Sequence, residues 1–393
     1  MIIIIVRSCY FTVYKLYKLI AMSGIYIHIP FCSKRCNYCD FYLVTNLELI
    51  SRFISSLKNE ISYYSGIYTG HEFDTVFFGG GTPSILSPDQ IKEILDHLNK
   101  CFKISNDSEV TLESNPEDFL NKNAGDYRSA GINRLSLGVQ SFLDPELKFL
   151  TRQHTSHEAQ TVVKNAAKHF ENISLDIIYS LPSQSVEDLD LSLSKAIELG
   201  VSHISAYTLT YEKKTVLYKS LERKLFEKNT DTIEARLYNY VSEKLTGNGF
   251  EHYEVSNFAR KNSRSRHNLK YWEYENYLGF GPSAHSFFNG TRWNNFSSIS
   301  KYNSHIDIKK LPCEDKYEPD NKQKHLEYVM LALRSSGINF EKYIEKFDQD
   351  FGIRFSDQIN ELIKNGFAET DSVRFYLNGK GYAVADEIIS KYF

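Results

Sequence analysis

From residue 25 onward, short β-rich runs alternate with longer amphipathic stretches, and this alternation restricts the possible folds more than any other feature. The β-rich runs lie at 25–29, 75–78, 109–112, 134–137, 173–178 and 203–207. The amphipathic stretches between them lie at 47–64, 88–101, 118–130, 156–170 and 185–199. Strands that alternate with helices predict βαβ units around a parallel sheet. Because six units are too few for a closed eight-stranded barrel, the sequence predicts an α/β fold built as a partial, open (β/α)6 barrel.

Glycine-rich and polar segments follow the predicted strands along the chain. In order, they are the cysteine segment at 32–39, GGGT at 79–82, ESNP at 113–116, GVQ at 138–140, and Asp176 in the fifth run. Sheets of this kind collect their functional residues at the carboxyl ends of the strands. The sequence therefore predicts one site at that end of the barrel.

Three cysteines, Cys32, Cys36 and Cys39, have the spacing C-x3-C-x2-C within eight residues. Three thiolates on one tight loop can each hold one iron of a [4Fe–4S] cluster, which leaves the fourth iron open for a reacting group. Zinc is the alternative, but a structural zinc ion needs four ligands and no fourth Cys or His follows nearby. The spacing favours the cluster. Cys101 and Cys313 have no partners in the sequence, and we interpret them as ordinary thiols.

Composition narrows the class of partner and the compartment. The chain has 393 residues and a net charge of −3, so it lacks the basic footprint of a nucleic-acid-binding protein. Its six cysteines are too few for a secreted disulfide scaffold, which favours a reducing, cytoplasmic compartment. Aromatic residues make up 14% of the chain. They suit a pocket for a planar ligand, although ordinary core positions explain them more simply.

The first 22 residues do not fit the pattern of the rest. Residues 2–6 are apolar, but Arg7, Lys15 and Lys18 interrupt the stretch that follows. No charged region precedes the apolar run, so it does not match a signal peptide, and it is too interrupted for a membrane span. We predict that residues 1–22 are an extension outside the fold; a membrane-associating segment is the alternative.

The remaining chain is predicted to have three parts. They are a barrel at 23–230, a barrel extension at 231–309 that begins with a helix at 231–247, and a C-terminal module at 310–393. The module opens with a polar linker and reads as helices followed by a hairpin, with a strand at 373–377 and a turn at Asn378-Gly379. This order predicts a small helical, winged-helix-like domain. Its mixed charges argue against nucleic-acid binding.

Beyond the cysteines, a series of ordered motifs runs along the chain. They are GGGTPS (79–84), ESNP (113–116), GVQS (138–141), LTRQHT (150–155), YEVSNFA (253–259), HNLKYW (267–272) and GFGPSAHS (279–286). Together with C-x3-C-x2-C after the first strand, they resemble the HemN/HemW branch of the radical SAM superfamily. The resemblance covers residues 24 to about 300 and extends into the C-terminal module.

The resemblance implies that S-adenosylmethionine chelates the open iron through its amino and carboxylate groups. Positions that match cofactor contacts of the family are Tyr26, Tyr38, Gly80, Gly81, Thr82, Glu113, Gln140, Arg152 and Asp176. Glycines allow a close approach of the backbone to the methionine moiety, Arg152 suits a carboxylate, and Asp176 suits ribose hydroxyls.

One position separates the two types within the branch. HemN-type coproporphyrinogen III dehydrogenases carry a fourth cysteine two residues after the third, where this chain has Phe41, as in HemW-type haem chaperones. HemW-like proteins also carry an HNxxYW motif, which His267, Asn268, Tyr271 and Trp272 match. The resemblance thus implies haem as cargo, with His267, Tyr271 and Trp272 as candidate contacts.

Imidazole is a usual axial ligand of haem, and the basic loop at 260–266 suits haem propionates. The alternative for His267, a loop or core histidine satisfied by hydrogen bonds, stays open. His252 and His285 are weaker candidates.

The expected function is that of a haem chaperone that delivers haem to a haemoprotein of the respiratory chain. The alternative is an oxygen-independent coproporphyrinogen III dehydrogenase, in which a 5′-deoxyadenosyl radical starts the decarboxylation of propionate side chains; Phe41 counts against it. Whether the chain is an enzyme is therefore left open. We expect a monomer or homodimer that meets membranes only through its partners and binds no nucleic acid.

Overall fold

The structure is a computed structural model in which residues 22–393 are described. Of the predicted extension, residues 1–21 lie outside the described residues, and the carbonyl of Met22 accepts a hydrogen bond from Lys270 Nζ (2.8 Å). Six parallel strands lie side by side in chain order, as predicted. They are β1 (Ser23–Ile29), β2 (Glu72–Gly80), β3 (Lys103–Ser114), β4 (Arg134–Gln140), β5 (Asn172–Tyr179) and β6 (His203–Thr208).

Helices connect these strands. They are α1 (Ile50–Ile67), α2 (Pro88–Cys101), α3 (Pro116–Phe119), α4 (Ala124–Ser129), α5 (Asp144–Phe149), α6 (Ser156–Ala166) and α7 (Val186–Glu198), with 3-10 turns at Leu47–Leu49 and Pro83–Ile85. The helix predicted at 118–130 is instead two short helices. The side chain of Asn123 accepts a hydrogen bond from the N–H of Gly125 and starts α4 there, because Asn at an N-cap competes with a continuous helix.

The sheet does not close into a barrel. Six further strands extend it: β7 (Glu251–Glu254), β8 (Asn257–Ala259), β9 (Tyr277–Phe280), β10 (His285–Phe288), β11 (Thr291–Asn295) and β12 (Cys313–Tyr317). Within residues 22–393 the sheet thus has twelve strands in the order β12-β11-β10-β9-β1-β2-β3-β4-β5-β6-β8-β7, so that β12 and β7 are its edges. The predicted partial barrel is thereby confirmed, with one flank lengthened by four strands.

The two faces of the six parallel strands differ in chemistry. Ile25, Ile27 and Ile29 of β1 are fully buried and share one core cluster with the apolar faces of α1 and α2. The alternate residues face the concave side, which we call the lumen, and the strand register brings them into layers. Lumen-facing side chains are Tyr26, His28, Thr75, Phe77, Thr111, Glu113, Arg134, Ser136, Ser174, Asp176, His203 and Ser205. The lumen is therefore mostly polar, unlike an apolar core.

The rest of the chain packs around this sheet and then forms a smaller body with its own core. The intervening helices are α8 (Val216–Glu222), α9 (Asp231–Gly247), α10 (Arg266–Trp272) and α11 (Ile299–Asp307). The C-terminal elements are α12 (Asn321–Leu333), β13 (Ile338–Asn339), α13 (Phe340–Phe347), α14 (Phe351–Arg354), α15 (Ser356–Lys364), β14 (Ala368–Thr370), β15 (Arg374–Leu377), α16 (Gly379–Tyr382) and α17 (Ala385–Tyr392). The helix predicted at 231–247 is present as α9, with the same first and last residues.

The C-terminal hairpin is present, but its turn is not where the sequence places it. Strands β14 and β15 pair antiparallel, and the chain turns at residues 371–373, where Asp371 accepts hydrogen bonds from the N–H groups of Val373 and Arg374. Asn378 instead caps α16 by accepting from two backbone N–H groups. An Asn-Gly pair is compatible with both a turn and a helix start, and the strand pairing decides between them.

None of the helices within residues 22–393 is both long enough and apolar enough to cross a membrane.

Candidate functional site

The cysteine loop leaves the carboxyl end of β1 and returns to it. The N–H of Cys32 bonds the carbonyl of Val44 (3.1 Å), and the N–H of Val44 bonds the carbonyl of Pro30 (2.7 Å), so both ends of the loop are pinned together. Cys32 is buried, Cys36 and Cys39 are half-buried, and all three are free thiols. Among residues 22–393, no three His, Cys, Asp or Glu side chains converge as the ligands of a single metal ion would. A cubane instead distributes its thiolates over three different irons.

The end of β2 lies directly against this loop. Thr82 Oγ1 donates to the sulfur of Cys32 (3.2 Å), and the N–H of Thr82 donates to the carbonyl of Phe31 (2.7 Å). A Cβ on Gly81 would lie 2.5 Å from that same carbonyl oxygen, and Gly80 has a φ of +113°. Both positions therefore require glycine. Gly81 thus permits a close approach to the chain's own backbone, and Gly80 permits one to the ring of His28.

Arg152 brings a buried positive charge to the cysteine loop. Its side chain is 5% exposed, and its Nη2 donates to Asn115 Oδ1 (2.6 Å) and to the carbonyl of Gly138 (2.9 Å). Its Nη1 lies 3.5 Å from the sulfur of Cys36. The guanidinium is thus tied to two strand ends, lies 3.6 Å from the carboxylate of Glu117, and brings positive charge next to the sulfur of Cys36. Its Nε is buried with no protein partner, which leaves one donor for a ligand in the lumen.

Two carboxyl groups share the lumen below the loop. Glu113 Oε2 accepts from the N–H of Gly80 (3.2 Å), and Asp176 Oδ1 accepts from Ser136 Oγ (3.3 Å). Burial and the charge of Asp176 raise the pKa of Glu113 to about 8, and burial raises the pKa of Asp176 to about 6. The buried cation Arg134 opposes both shifts. The pair can therefore accept or donate hydrogen bonds to ligand hydroxyls near neutral pH.

The remaining predicted cofactor contacts lie around the same opening. Tyr26 and His28 are linked by a hydrogen bond between the phenol and Nδ1 (3.1 Å), and Nε2 of His28 is buried without a partner. Gln140 has a φ of +70°, in the left-handed region, so the chain bends sharply where β4 ends. Tyr38 packs against a small apolar cluster, and burial raises its pKa. All nine predicted cofactor positions thus belong to the lumen or to its rim.

The three predicted haem contacts have different surroundings. His267 is 1% exposed, and its ring nitrogens pair with Thr75 Oγ1 (2.8 Å) and with the hydroxyl of Tyr271 (2.7 Å). Burial, with the charges of Lys270 and Arg134, lowers the pKa of His267 to about 3. The structure places His267 in the environment kept open as the alternative, a core histidine satisfied by hydrogen bonds. Its role as a haem ligand stays a prediction.

The other two predicted haem contacts, Tyr271 and Trp272, line separate cavities. Tyr271 lines a cavity of about 390 Å³ beside the barrel, together with Tyr277 and His285. Trp272 lines a cavity of about 280 Å³ that faces the C-terminal body, opposite Tyr328. The three predicted haem contacts therefore have three different surroundings: the barrel interior for His267, the cavity beside the barrel for Tyr271, and the cavity at the C-terminal body for Trp272.

The basic loop at 260–266 is held by groups of the chain itself. Arg264 pairs with Glu251 (3.0 Å), and Arg266 pairs with Asp74 (3.2 Å). Arg260 donates to the carbonyl of Val201 (3.3 Å). These contacts anchor the loop, and the expected contact with propionates stays a prediction.

Three residues of the site were not identified from the sequence. Asn115 joins Thr82 Oγ1 (3.1 Å) to Arg152, His28 carries an orphaned nitrogen, and Arg134 is a buried cation whose charge acts on both acids. For His28 and Arg134 the signal was the period-two pattern, because polar residues alternating with apolar ones in a buried parallel strand must face a polar interior. Asn115 lies beyond β3, and its signal was the ESNP motif.

Comparison with known proteins adds independent information. The profile of the Radical SAM superfamily matches residues 26–196. The chain is 34% identical over 376 residues to "Heme chaperone HemW" of Bacillus subtilis (strain 168), covering 94% of this chain and 99% of the relative. It is 34% identical over 377 residues to "Heme chaperone HemW" of Lactococcus lactis subsp. lactis (strain IL1403), covering 94% and 97%.

Among solved structures, the chain resembles the coproporphyrinogen III oxidase HemN from Escherichia coli. The TM-score is 0.80 at 20% identity, and the match covers 94% of this chain and 89% of that one. At this identity the likeness concerns the fold, and it extends over both the barrel and the C-terminal body.

Proposed function

Because the chain belongs to the HemW family within the radical SAM superfamily, we propose that it is a haem chaperone, which binds haem and hands it to a recipient haemoprotein. The observation that carries the proposal is the match over nearly the whole length of relatives named as haem chaperones. Phe41 supports it, because it stands where coproporphyrinogen III dehydrogenases of the resembling branch carry a fourth cysteine. Its side chain is 66% exposed beside the cysteine loop.

The resident cofactors of the proposal are a [4Fe–4S] cluster and S-adenosylmethionine. Cys32, Cys36 and Cys39 would hold the cluster, and the residues present suit it: three free thiols on one pinned loop, next to the buried guanidinium of Arg152. When bound, the cluster supplies single electrons to S-adenosylmethionine. The chain's own part is to orient this pair and to exclude bulk water with the half-buried rim.

The lumen provides the groups that S-adenosylmethionine needs. The unpartnered Nε of Arg152 suits its carboxylate, and the carboxyl groups of Glu113 and Asp176 suit ribose hydroxyls and the amino group. The proposed recipient is a haemoprotein of the respiratory chain, and the proposed compartment of this chain itself is the cytoplasm.

The proposal is tested with the full chain after anaerobic reconstitution of the cluster. Haemin is titrated into one sample; coproporphyrinogen III, S-adenosylmethionine and a reductant are added to another. We expect a stoichiometric haem complex and no turnover of coproporphyrinogen III. The Cys101→Ser variant serves as the control, because Cys101 lies at the end of α2, outside the loop.

Formation of protoporphyrinogen at catalytic rates would replace this proposal with a porphyrinogen-oxidising enzyme. Failure of the reconstituted protein to bind haemin would also refute it.

A further inference from the structure

We propose that haem occupies a groove beside the barrel and that the imidazole of His285 is the axial ligand of its iron. This inference rests on the proposed function and names the place of the cargo. The groove is the cavity of about 390 Å³ between the extended flank of the sheet and the helices α10 and α12. Its size is within the range of about 300–1,000 Å³ that is usual for ligand pockets.

The strand register builds one wall of the groove. His285 pairs with Asn294 across β10 and β11, and Phe287 pairs with both Tyr277 of β9 and Arg292 of β11. Directly paired residues project from the same face of a sheet, so these side chains form one continuous surface. Because β9 is also the neighbour of β1, this surface continues the lumen sideways.

Aromatic rings and a thioether form the apolar part of the walls. Tyr271 of α10 stands edge-on to Tyr277, with ring centroids 4.6 Å apart, and Tyr274 packs on Phe287 at 4.5 Å. Met330 of α12 faces them. Flat aromatic faces and a polarizable sulfur match the apolar faces of a porphyrin. The charged residues of the lining are Glu275, Arg292 and Glu327, and the last two form an ion pair with each other (2.8 Å).

His285 is the residue of this wall that is free to bind iron. Its side chain is exposed to the groove, and it makes no hydrogen bond or ring contact with another described residue. Both ring nitrogens of His267, by contrast, are hydrogen-bonded inside the barrel. A neutral imidazole with a free nitrogen is a usual axial ligand of haem iron. Geometry therefore favours His285 over His267.

The contribution of His267 is then indirect. Its Nε2 bonds the hydroxyl of Tyr271 (2.7 Å), and Tyr271 lines the groove. His267 is a positioning residue that holds one aromatic wall, and it does not touch the porphyrin. This arrangement accounts for the histidine and the tyrosine of the HNxxYW motif.

The test compares haemin binding by the cluster-loaded full chain with binding by its His285→Ala variant. We expect haemin to bind at least about tenfold more weakly, because loss even of an outer-shell partner of a metal ligand costs that much. The electron paramagnetic resonance signature of an imidazole-ligated ferric haem should disappear and return when free imidazole is added. The control is His157→Ala, which removes an exposed histidine of α6 that has no side-chain hydrogen bond.

The outcomes distinguish the inference from the proposed function. Haemin that binds the wild type and the His285→Ala variant with equal affinity and equal spectra would overturn the inference and leave the chaperone function intact. Haemin that does not bind the wild type would overturn both. Restoration of the spectrum by imidazole in His285→Ala, but no change in His157→Ala, would support the inference.

Discussion

The two ends of the barrel lumen contain similar polar residues but bond them differently. At the amino-terminal end, the N–H groups of Arg266 and His267 each donate to one oxygen of Glu109 (3.1 Å each), and the ring of His267 is bonded on both sides, although Nε of Arg134 at the start of β4 has no protein partner. At the carboxyl-terminal end, the cysteine loop is half-exposed, and nitrogens of His28 and Arg152 have no protein partner.

The difference teaches where a ligand can act. A buried polar group without a partner costs free energy, so orphaned donors persist where a ligand or water satisfies them. We therefore expect the amino-terminal, closed end to contribute mainly to stability and the carboxyl-terminal, open end beside the cysteine loop to bind the proposed cofactors. Changes at the open end should therefore remove binding, whereas changes at the closed end should remove stability.

The largest expected effect is at the open end, in Cys36→Ser. A serine hydroxyl does not replace a thiolate as an iron ligand, so the reconstituted variant should lose nearly all cluster iron and its visible absorbance. Cys101→Ser, outside the loop, should reconstitute like the wild type. Iron and sulfide analysis measures both. A Cys36→Ser protein with full cluster content would refute the assignment of the loop.

The next largest effect is expected for Arg152→Lys, because Arg152 contributes both to stability and to the binding of the proposed cofactor. Lysine keeps the charge but loses the fork that reaches Asn115, Gly138 and Cys36. We expect a loss of about 2–3 kcal/mol of unfolding free energy and weaker binding of S-adenosylmethionine. Urea unfolding and calorimetric titration measure the two effects. The matched variant Arg236→Lys changes an exposed arginine of α9 and should leave both unchanged.

At the closed end, His267→Ala should act on stability. It leaves the buried hydroxyl of Thr75 without its partner and opens a cavity next to Phe77, at a cost of about 1–3 kcal/mol. The exposed variant His157→Ala should stay within about 0.5 kcal/mol of the wild type. If His267→Ala lost the axial-ligand spectrum of bound haem and kept its stability, His267 would be a haem ligand and not a residue that stabilises the fold.

The smallest expected effect concerns the titration of Glu113 in cluster-loaded protein without S-adenosylmethionine. Its pKa rises to about 8 in the folded chain, so the neutral form is favoured there. The contribution of Glu113 to the free energy of unfolding is complete below its pKa in the unfolded chain, about 4.3, and is lost as the pH rises through about 8. Glu113→Gln should therefore lose less stability than the wild type between pH 5 and 8. Urea unfolding measures this dependence, and an unfolding free energy that changes with pH equally in both proteins would contradict the raised pKa of Glu113.

The order of the strands and the convergence of the candidate residues at one end of the sheet could be predicted from the sequence. Helix α2 and helix α9 begin and end where the periodicity places them, and the motifs at the strand ends converge on the lumen. These features depend on local patterns and on the rule that parallel strands share one carboxyl end. Contacts between residues far apart in sequence decide the remaining features, such as the surroundings of each histidine.

The histidines show what sequence reasoning missed. His267 belongs to a recognisable motif, but only the packing of α10 against β2 reveals that Thr75 is the hydrogen-bond partner of its ring. His285 follows a glycine-rich turn and gave a weaker signal, although the antiparallel pairing of β10 and β11 turns it toward the groove. The use of a histidine depends on contacts between residues far apart in sequence, and a single sequence does not contain them.

The most direct test of the account is delivery of haem. The full chain, loaded with its cluster and with one haemin, is mixed with increasing concentrations of an apo-haemoprotein of the respiratory chain, and the change of the haem spectrum is followed by stopped flow. A chaperone transfers haem in a complex, so the account predicts a transfer rate that rises with acceptor concentration. A rate equal to spontaneous haem release, and independent of the acceptor, would contradict it.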